Sequence, residues 1–284
     1  MKPQSLAQPT EERIPERRSQ LLGPFRFRDF RLLWMGLLVS NLGTWMQFTA
    51  MGYLVVHIAP TAAAAALNVG LLGASQSIPA LLLSPIAGVV ADRYPRRRVL
   101  LFTNSTVSLV AAALAVLTLT QHGALWALLV LNGVRAGAQA FDSPARQSWV
   151  PLLVPREFVA NAIGVNSIAF NAPSIIGPPI AGVIILTIGI WAAFVINAVS
   201  TLAVVAALIL MHPVPPSSTG REPVFASIRA GLAFLFAHPV LNSVIWLLLI
   251  TCIFVRPYHT LLPAYAAHVV NVDARGLGIL LASG

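Results

Sequence analysis

The densest group of charged side chains in this sequence lies in one short stretch, GVVADRYPRRRVL, at residues 88–100. It contains one carboxylate, Asp92, followed by the guanidiniums of Arg93, Arg96 and Arg97. Beside helix ends, which carry partial charges, such groups can exchange ion-pair partners when helices move. The stretch therefore predicts a switch or, as the plainer alternative, a basic turn between two helices.

Polar residues also interrupt apolar stretches, where each of them needs a hydrogen-bonding partner or a water-filled cavity. Asn41, Thr44 and Gln47 stand at helical spacing among aromatic residues. That pattern suits a cavity for an amphipathic ligand, and it equally suits polar contacts between helices. Arg135 lies more than one helical turn from the nearest charge, Asp142. It either faces a cavity or extends its long side chain toward the nearer membrane surface.

A titratable pair lies near the carboxyl-terminal end. Arg256 and His259 are three residues apart, on either side of Pro257, and share one helical face. An imidazole titrates near neutral pH, so His259 is a candidate for proton coupling, with a neutral hydrogen-bonding histidine as the alternative. Because no span has an Asp or Glu in its middle, Asp142 is the nearest acidic candidate.

The composition is that of a membrane protein. The chain has 284 residues, 57% hydrophobic and only 10% charged, whereas soluble domains have about 25% charged residues. The net charge of +9 would favour nucleic-acid binding in a soluble chain. Because the basic residues here flank apolar spans, membrane lipids are the expected partners and nucleic acid is not.

Catalytic and metal-binding patterns are not recognisable in the sequence. There is one cysteine, Cys252, so no disulfide or cysteine metal site is expected. We found no metalloprotease helix, nucleophile elbow or phosphate-binding loop. We therefore expect no catalytic residue, no metal and no cofactor, and a protein that is not an enzyme.

The spans follow from the lengths of the uncharged stretches. Residues 32–91 would form a helix roughly 90 Å long if they were a single helix, whereas the hydrocarbon core of a membrane is only about 30 Å thick. A turn is therefore expected within this stretch, at Ala59–Thr61. The same argument predicts eight helices in all. Their expected positions are about 31–58, 66–91, 99–120, from 124 onward for the fourth, 158–187, 189–211, 239–267 and, for the start of an eighth, 272–284.

Basic residues alternate between the loops. The amino-terminal tail and the loops after the second, fourth and sixth spans hold 15 of the 18 lysines and arginines. Since cytoplasmic loops collect such residues, we expect a cytoplasmic amino terminus. The predicted organisation is a basic tail at 1–30, a six-helix half at 31–211, a cytoplasmic linker with an amphipathic stretch at 212–238, and the start of a second half at 239–284.

The stretch at 88–100 resembles the loop signature of the major facilitator superfamily, Gly-x-x-x-Asp-Arg-x-Gly-Arg-Arg/Lys. The agreeing positions are Gly88, Asp92, Arg93, Arg96 and Arg97. Pro95 replaces a glycine of the signature. The resemblance implies a gating loop between the second and third helices that works against the second half of the molecule.

The fifth span resembles the same family's antiporter motif. It agrees at Gly164, Gly177, Pro178 and Gly182, while Pro173 replaces a glycine. Small residues four apart let a neighbouring helix approach, and prolines bend a helix, so plain packing is the alternative. In the family the motif accompanies exporters.

Arg135 is similar to an arginine of the family's drug and proton antiporters, and residues 141–162 resemble its enterobactin-exporter and macrolide-efflux branch, the transmembrane secretion effectors. The resemblance implies an all-α membrane protein with a major facilitator fold: the first six-helix half plus helix 7 and the start of helix 8.

The implied function is proton-coupled efflux of a small amphipathic compound, of drug, macrolide or siderophore type, by alternating access in the bacterial inner membrane. The expected partners are the small-molecule substrate, protons, membrane lipids and a C-terminal half. The alternative is a truncated, transport-inactive fragment or a half-molecule that needs a partner chain.

Overall fold

The computed structural model describes residues 22–120, 124–212, 237–254 and 274–283, together with residues 262, 265, 266, 270 and 272. Regular structure in this part of the chain is helical throughout. The α-helices are α1 (Arg28–His57), α2 (Ala62–Arg93), α3 (Arg96–Leu119), α4 (Leu125–Trp149), α5 (Val159–Thr187), α6 (Ile190–Leu210), α7 (Pro239–Phe254) and α8 (Ala274–Ser283). Short 3-10 segments occupy Gly23–Arg26, Val150–Leu153 and Arg156–Phe158. The predicted all-α fold class is confirmed.

The helix ends coincide with local signals in the sequence. Thr61 caps α2, since its hydroxyl accepts a hydrogen bond from the backbone N–H of Ala64 at 3.2 Å. The turn between α5 and α6 contains Gly189 at φ 121°, a conformation that is strained for any residue with a Cβ. The starts of α1 to α6 lie within a few residues of the predicted positions, while the predicted end of the seventh span at 267 lies outside the described residues.

The helices α2 and α5 are uninterrupted although each of them contains prolines. Pro79 and Pro85 lie inside α2, and Pro173, Pro178 and Pro179 lie inside α5. Each proline removes one backbone donor, and a helix packed among others tolerates the loss. The predicted fifth span is therefore one helix of 29 residues.

The first six helices form one bundle. The helix α1 packs against α5 and α6, α2 packs against α4, and α3 packs against α4 and α6. One apolar cluster, with Phe30, Leu100 and Trp149, lies at the end of the bundle that holds residues 93–98, which we call the basic end. A second cluster, with Val55 and Phe194 among its members, lies toward the opposite end.

Among the described residues, four helical stretches are long and apolar enough to cross a membrane: Ala62–Arg93, Arg96–Leu119, Arg156–Thr187 and Ile190–Leu210. The helices α1 and α4 belong to the same bundle and contain more polar residues, which are largely buried inside it. Large apolar side chains such as Leu81 and Phe102 are exposed on the outside of the bundle, as lipid contact requires.

The region after 238, which the sequence predicts to begin a second half, is described in part. The short helix α8 packs against α5. Leu262, Leu277 and Leu281 form a small apolar cluster that contacts Phe48 and Tyr53 of α1. The predicted site residues Arg256 and His259, and most of the linker predicted at 212–238, lie outside the described residues.

Candidate functional site

The loop between α2 and α3 holds its arginines in two different ways. The Nε of Arg96 donates to the hydroxyl of Ser148 in α4, at 2.9 Å. The guanidinium of Arg97 donates to the carbonyl oxygens of Leu208 at 2.6 Å and Ile209 at 2.8 Å. These carbonyls belong to the last turn of α6, where backbone acceptors lack helical partners. Arg97 therefore fixes the carboxyl-terminal end of α6 to the loop.

Replacing Arg97 with alanine is expected to lower the free energy of unfolding by about 1–2 kcal/mol, since two charge-assisted hydrogen bonds to a helix end are lost at a partly exposed site. A thermal unfolding curve of the purified protein measures the change. The matched control is Arg98→Ala, because Arg98 is exposed and adjacent. Equal destabilisation by the two variants would contradict the assigned role of Arg97.

The acidic residue of this loop is arranged differently. Asp92 is exposed, as is Arg93. Within the described part of the chain no ion pair joins Asp92 to an arginine. Gly88 has open space on its Cβ side. The carboxylate is thus accessible to another part of the protein, and the switch predicted from the sequence stays a prediction.

A buried polar stripe runs along one face of α4: Asn132, Arg135, Gln139, Asp142 and Arg146. In its first part, the guanidinium of Arg135 donates to the side-chain oxygen of Asn132 at 3.1 and 3.3 Å and to that of Gln139 at 3.0 Å. Asn132 in turn donates to the hydroxyl of Ser75 in α2, at 2.9 Å. Arg135 is therefore buried among amide groups rather than extended toward the surface.

The second part of the stripe is a buried ion pair. Asp142 pairs with Arg146, one turn further along α4. Asp142 also accepts hydrogen bonds from Asn104 at 2.7 Å and Thr103 at 3.2 Å, both in α3. The guanidinium of Arg146 lies 4.4 Å from the ring centre of Phe170 in α5, a cation–π contact. One charged pair thus joins three helices.

Polar side chains also fill the contact between α1 and its neighbours. The Nδ2 of Asn41 donates to the carbonyl of Ala169 in α5, at 2.9 Å. Gln47 accepts from the Nδ2 of Asn197 in α6, at 2.6 Å, while its own amide nitrogen is buried without a partner in the described structure. Thr44 donates to Asn197 at 3.4 Å. These are the contacts that the alternative of polar packing between helices predicts for Asn41 and Gln47.

The motif residues of α5 differ in their surroundings. A Cβ on Gly177 would lie 2.7 Å from the Cβ of Trp45 in α1, so only glycine fits this contact. Gly164 is exposed and has no neighbour on its Cβ side. Pro173, Pro178 and Gly182 are buried. The motif therefore contributes one tight helix contact and one open position, and its link to export stays a prediction.

Sequence reasoning missed several members of these groups. Arg146 was counted only as a basic residue near a loop, although its position four residues after Asp142 is a recognisable ion-pair spacing on a helix. Asn104 belongs to an Asn-x-Thr sequon inside a span, which gives no hint of its bond to Asp142. Asn197 is an isolated amide in an apolar stretch and is fully buried.

Comparison with known proteins agrees with this architecture. Residues 19–284 match the family model described as transmembrane secretion effector, of the major facilitator type. The uncharacterised MFS-type transporter YfiS of Bacillus subtilis is 29% identical over 212 residues, covering 72% of this chain and 48% of YfiS. The enterobactin exporter EntS of Shigella boydii is 26% identical over 220 residues, covering 78% of this chain and 50% of EntS.

EntS of Escherichia coli is 27% identical over 159 residues, which cover 56% of this chain and 38% of that exporter. The chain thus spans about half the length of the curated relatives it matches. The match to the family model covers nearly all of the chain, including every described helix. This match agrees with the helical bundle, its membrane-crossing helices and the loop at 88–100. The chain therefore belongs to the transmembrane secretion effector family of major facilitator transporters, a family of membrane transporters rather than enzymes.

Proposed function

We propose that this transporter exports small amphipathic compounds, of drug, macrolide or siderophore type, from the cytoplasm of a bacterium. The observation that carries the proposal is the match over residues 19–284 to the family of transmembrane secretion effectors. A relative named as an enterobactin exporter supports the outward direction. Transport would proceed by alternating access, in which two six-helix halves rock about a site near the middle of the membrane.

The arrangement of α5 supports a role at the boundary between the halves. It packs against α1 through Gly177, and α8, from the start of the second half, packs against it as well. Its exposed polar residues, such as Ser167 and Asn171, bond back to their own backbone. The helix α5 thus contacts α1 of the first half and α8 of the proposed second half. This position suits a helix at which the two halves move relative to each other.

We further propose that the export is driven by protons in the inner membrane, with the amino terminus in the cytoplasm. The Asp142 carboxylate is bound by Arg146, Asn104 and Thr103 inside the bundle. As the group that carries the proton we propose His259, a histidine in the predicted seventh span. The alternation of basic residues between loops supports the proposed orientation.

Export is tested in a bacterial host that lacks its own efflux pumps, with and without the expressed gene. Cellular accumulation of catecholate siderophores, macrolides and fluorescent dyes is measured. We expect lower accumulation of at least one of these classes when the gene is present, and recovery of accumulation when an uncoupler collapses the proton gradient. Unchanged accumulation of every compound, or increased uptake of a nutrient, would show that the proposal is wrong.

The gating role of Asp92 predicts a loss of transport without a loss of folding. Asp92→Asn is expected to lower the rate of export about tenfold, the effect of roughly 1.4 kcal/mol on the barrier between the two access states. Membrane insertion and thermal stability should not change, because the side chain is exposed. The control is Glu157→Gln, which removes an exposed carboxylate near the start of α5. If Asp92→Asn exports at the wild-type rate, the loop is only a topology signal.

A further inference from the structure

The segment before α1 packs against the basic end of the bundle through aromatic rings. The ring of Phe25 contacts Phe30 and Trp34, with centroid distances of 5.7 and 4.9 Å and nearly perpendicular planes. The ring of Phe27 lies 5.7 Å from that of Phe158, just before α5. These contacts fix the short turn Gly23–Arg26 at a defined place beside α1 and the start of α5.

Gly23 shows how closely this turn approaches the rest of the bundle. A Cβ built on Gly23 would overlap the ring of Phe158. The indole of Trp34 donates to the carbonyl of Val165 in α5, at 2.9 Å, and adds a polar contact to the same corner. The turn is therefore attached to both helices, and its outward side chains have a fixed position.

The outward side chains are basic. Arg26 and Arg28 flank Phe27 in the sequence, and Arg156 lies two residues before Phe158, so the contact of the two rings brings these arginines to one corner. Both Arg26 and Arg28 are exposed, and so are Arg31 and Arg156. We call Arg26, Arg28, Arg31 and Arg156 the arginine corner.

The acids nearby do not balance this charge. Asp29 is engaged by His212, whose backbone N–H lies 3.3 Å from the carboxylate and whose ring nitrogen also lies 3.3 Å from it. Glu157 is the other acid in these segments. The corner has four guanidiniums and only two nearby carboxylates, and one of these carboxylates already contacts His212. It therefore has an excess of positive charge.

Apolar groups adjoin the arginine corner. Leu22, which precedes the turn, is 65% exposed, and Ile163 in the first turns of α5 is 51% exposed. A basic surface bordered by exposed apolar side chains, at the end of membrane-crossing helices, is the arrangement found at the level of lipid headgroups.

We propose that the arginine corner binds the headgroup of an anionic phospholipid, with its phosphate between the guanidiniums of Arg26 and Arg28 and its acyl chains along the exposed apolar side chains. Charge complementarity selects the anionic headgroup over a zwitterionic one, and the planar guanidinium suits phosphate oxygens. The bound lipid would anchor the amino-terminal turn and α1 to one membrane surface. This inference does not depend on the compound that is transported.

The test measures lipid retained by the purified full chain in detergent, by native mass spectrometry, during titration with dioleoyl phosphatidylglycerol or dioleoyl phosphatidylcholine. We expect the wild type to retain phosphatidylglycerol in preference to phosphatidylcholine. In Arg26→Gln/Arg28→Gln the affinity for phosphatidylglycerol should fall roughly 25-fold, at about fivefold per arginine. Inorganic phosphate at millimolar concentration should not displace the lipid.

Matched variants separate the corner from general charge attraction. Arg98→Gln/Arg275→Gln removes two exposed arginines elsewhere and should retain the lipid as the wild type does. Arg26→Lys/Arg28→Lys keeps the charge and should retain most of the binding. The proposal is overturned if the glutamine variant binds phosphatidylglycerol like the wild type, or if inorganic phosphate alone displaces the lipid. It is also overturned if the Arg98/Arg275 control or the lysine variant loses as much affinity for the lipid as the glutamine variant does.

Discussion

Replacing Asp142 with alanine is expected to lower the free energy of unfolding by about 3–5 kcal/mol, because the change leaves the guanidinium of Arg146 buried without its counter-charge. Asn104 and Thr103 also lose their acceptor. The loss should appear as a lower unfolding temperature of the purified protein and as a smaller folded fraction after membrane extraction.

A double variant distinguishes the effect of the unpaired charge from that of lost packing. Asp142→Asn/Arg146→Gln removes both charges and keeps polar groups of similar size, so it should cost clearly less than Asp142→Ala alone. Asp142→Asn by itself should resemble the alanine variant, since Arg146 again lacks a carboxylate. If the double variant is the least stable of the three, the ion pair itself is a net source of stability and the argument from the unpaired charge is wrong.

The contact between α1 and α6 predicts the second large effect. A Cβ on Gly43 would overlap the hydroxyl of Ser200 and lie 2.9 Å from the Cα of Asn197. The backbone atom cannot move aside, so Gly43→Ala must separate the two helices and disturb the bond between Asn197 and Gln47. We expect a loss of about 1–3 kcal/mol, as for other overpacked cores.

The control for this variant is another helical glycine with open space around it. Gly70 in α2 has no atom within 4 Å of its Cβ position, so Gly70→Ala should leave stability unchanged or raise it slightly. Adding Ser200→Ala to Gly43→Ala removes the overlap with the hydroxyl but not that with the Asn197 backbone, and should restore part of the loss. Thermal unfolding of the four proteins is the measurement. Wild-type stability of Gly43→Ala would contradict the described contact.

Much of the fold could be predicted from the sequence because the rules for membrane helices are nearly one-dimensional. An uncharged stretch longer than the hydrocarbon core must turn, and Ala59–Thr61 and Thr187–Gly189 contain the residues that permit a turn. The described ends of α1, α2, α5 and α6 follow these signals. The loop at 88–100 was recognisable because its charges have a fixed spacing.

The candidate site was less predictable, because burial and pairing depend on how helices rotate against one another. The sequence showed that Arg135 and Asp142 are polar residues in apolar surroundings, but not that α3 supplies hydrogen bonds to Asp142 or that Asn132, next to Arg135, bonds to α2. For Asn41 and Gln47 it left a cavity and interhelical contacts equally open. The described bonds of these residues all run to α5 and α6.

The sequence by itself determined the class of protein, the approximate starts of α1 to α6 and the position of the basic loop. These features depend on hydropathy, on the length of the uncharged stretches and on the positions of turn-forming residues. None of these requires knowing which residues are neighbours in space. Only the tertiary structure decided that Arg97 holds the end of α6, that Asp142 and Arg146 join three helices, and that aromatic rings bring Arg26, Arg28 and Arg156 to one corner. The bonds of Arg97 to α6, those of Asp142 to α3 and the ring contact of Phe27 join residues far apart in the chain, and they depend on the rotation and depth of whole helices in the bundle.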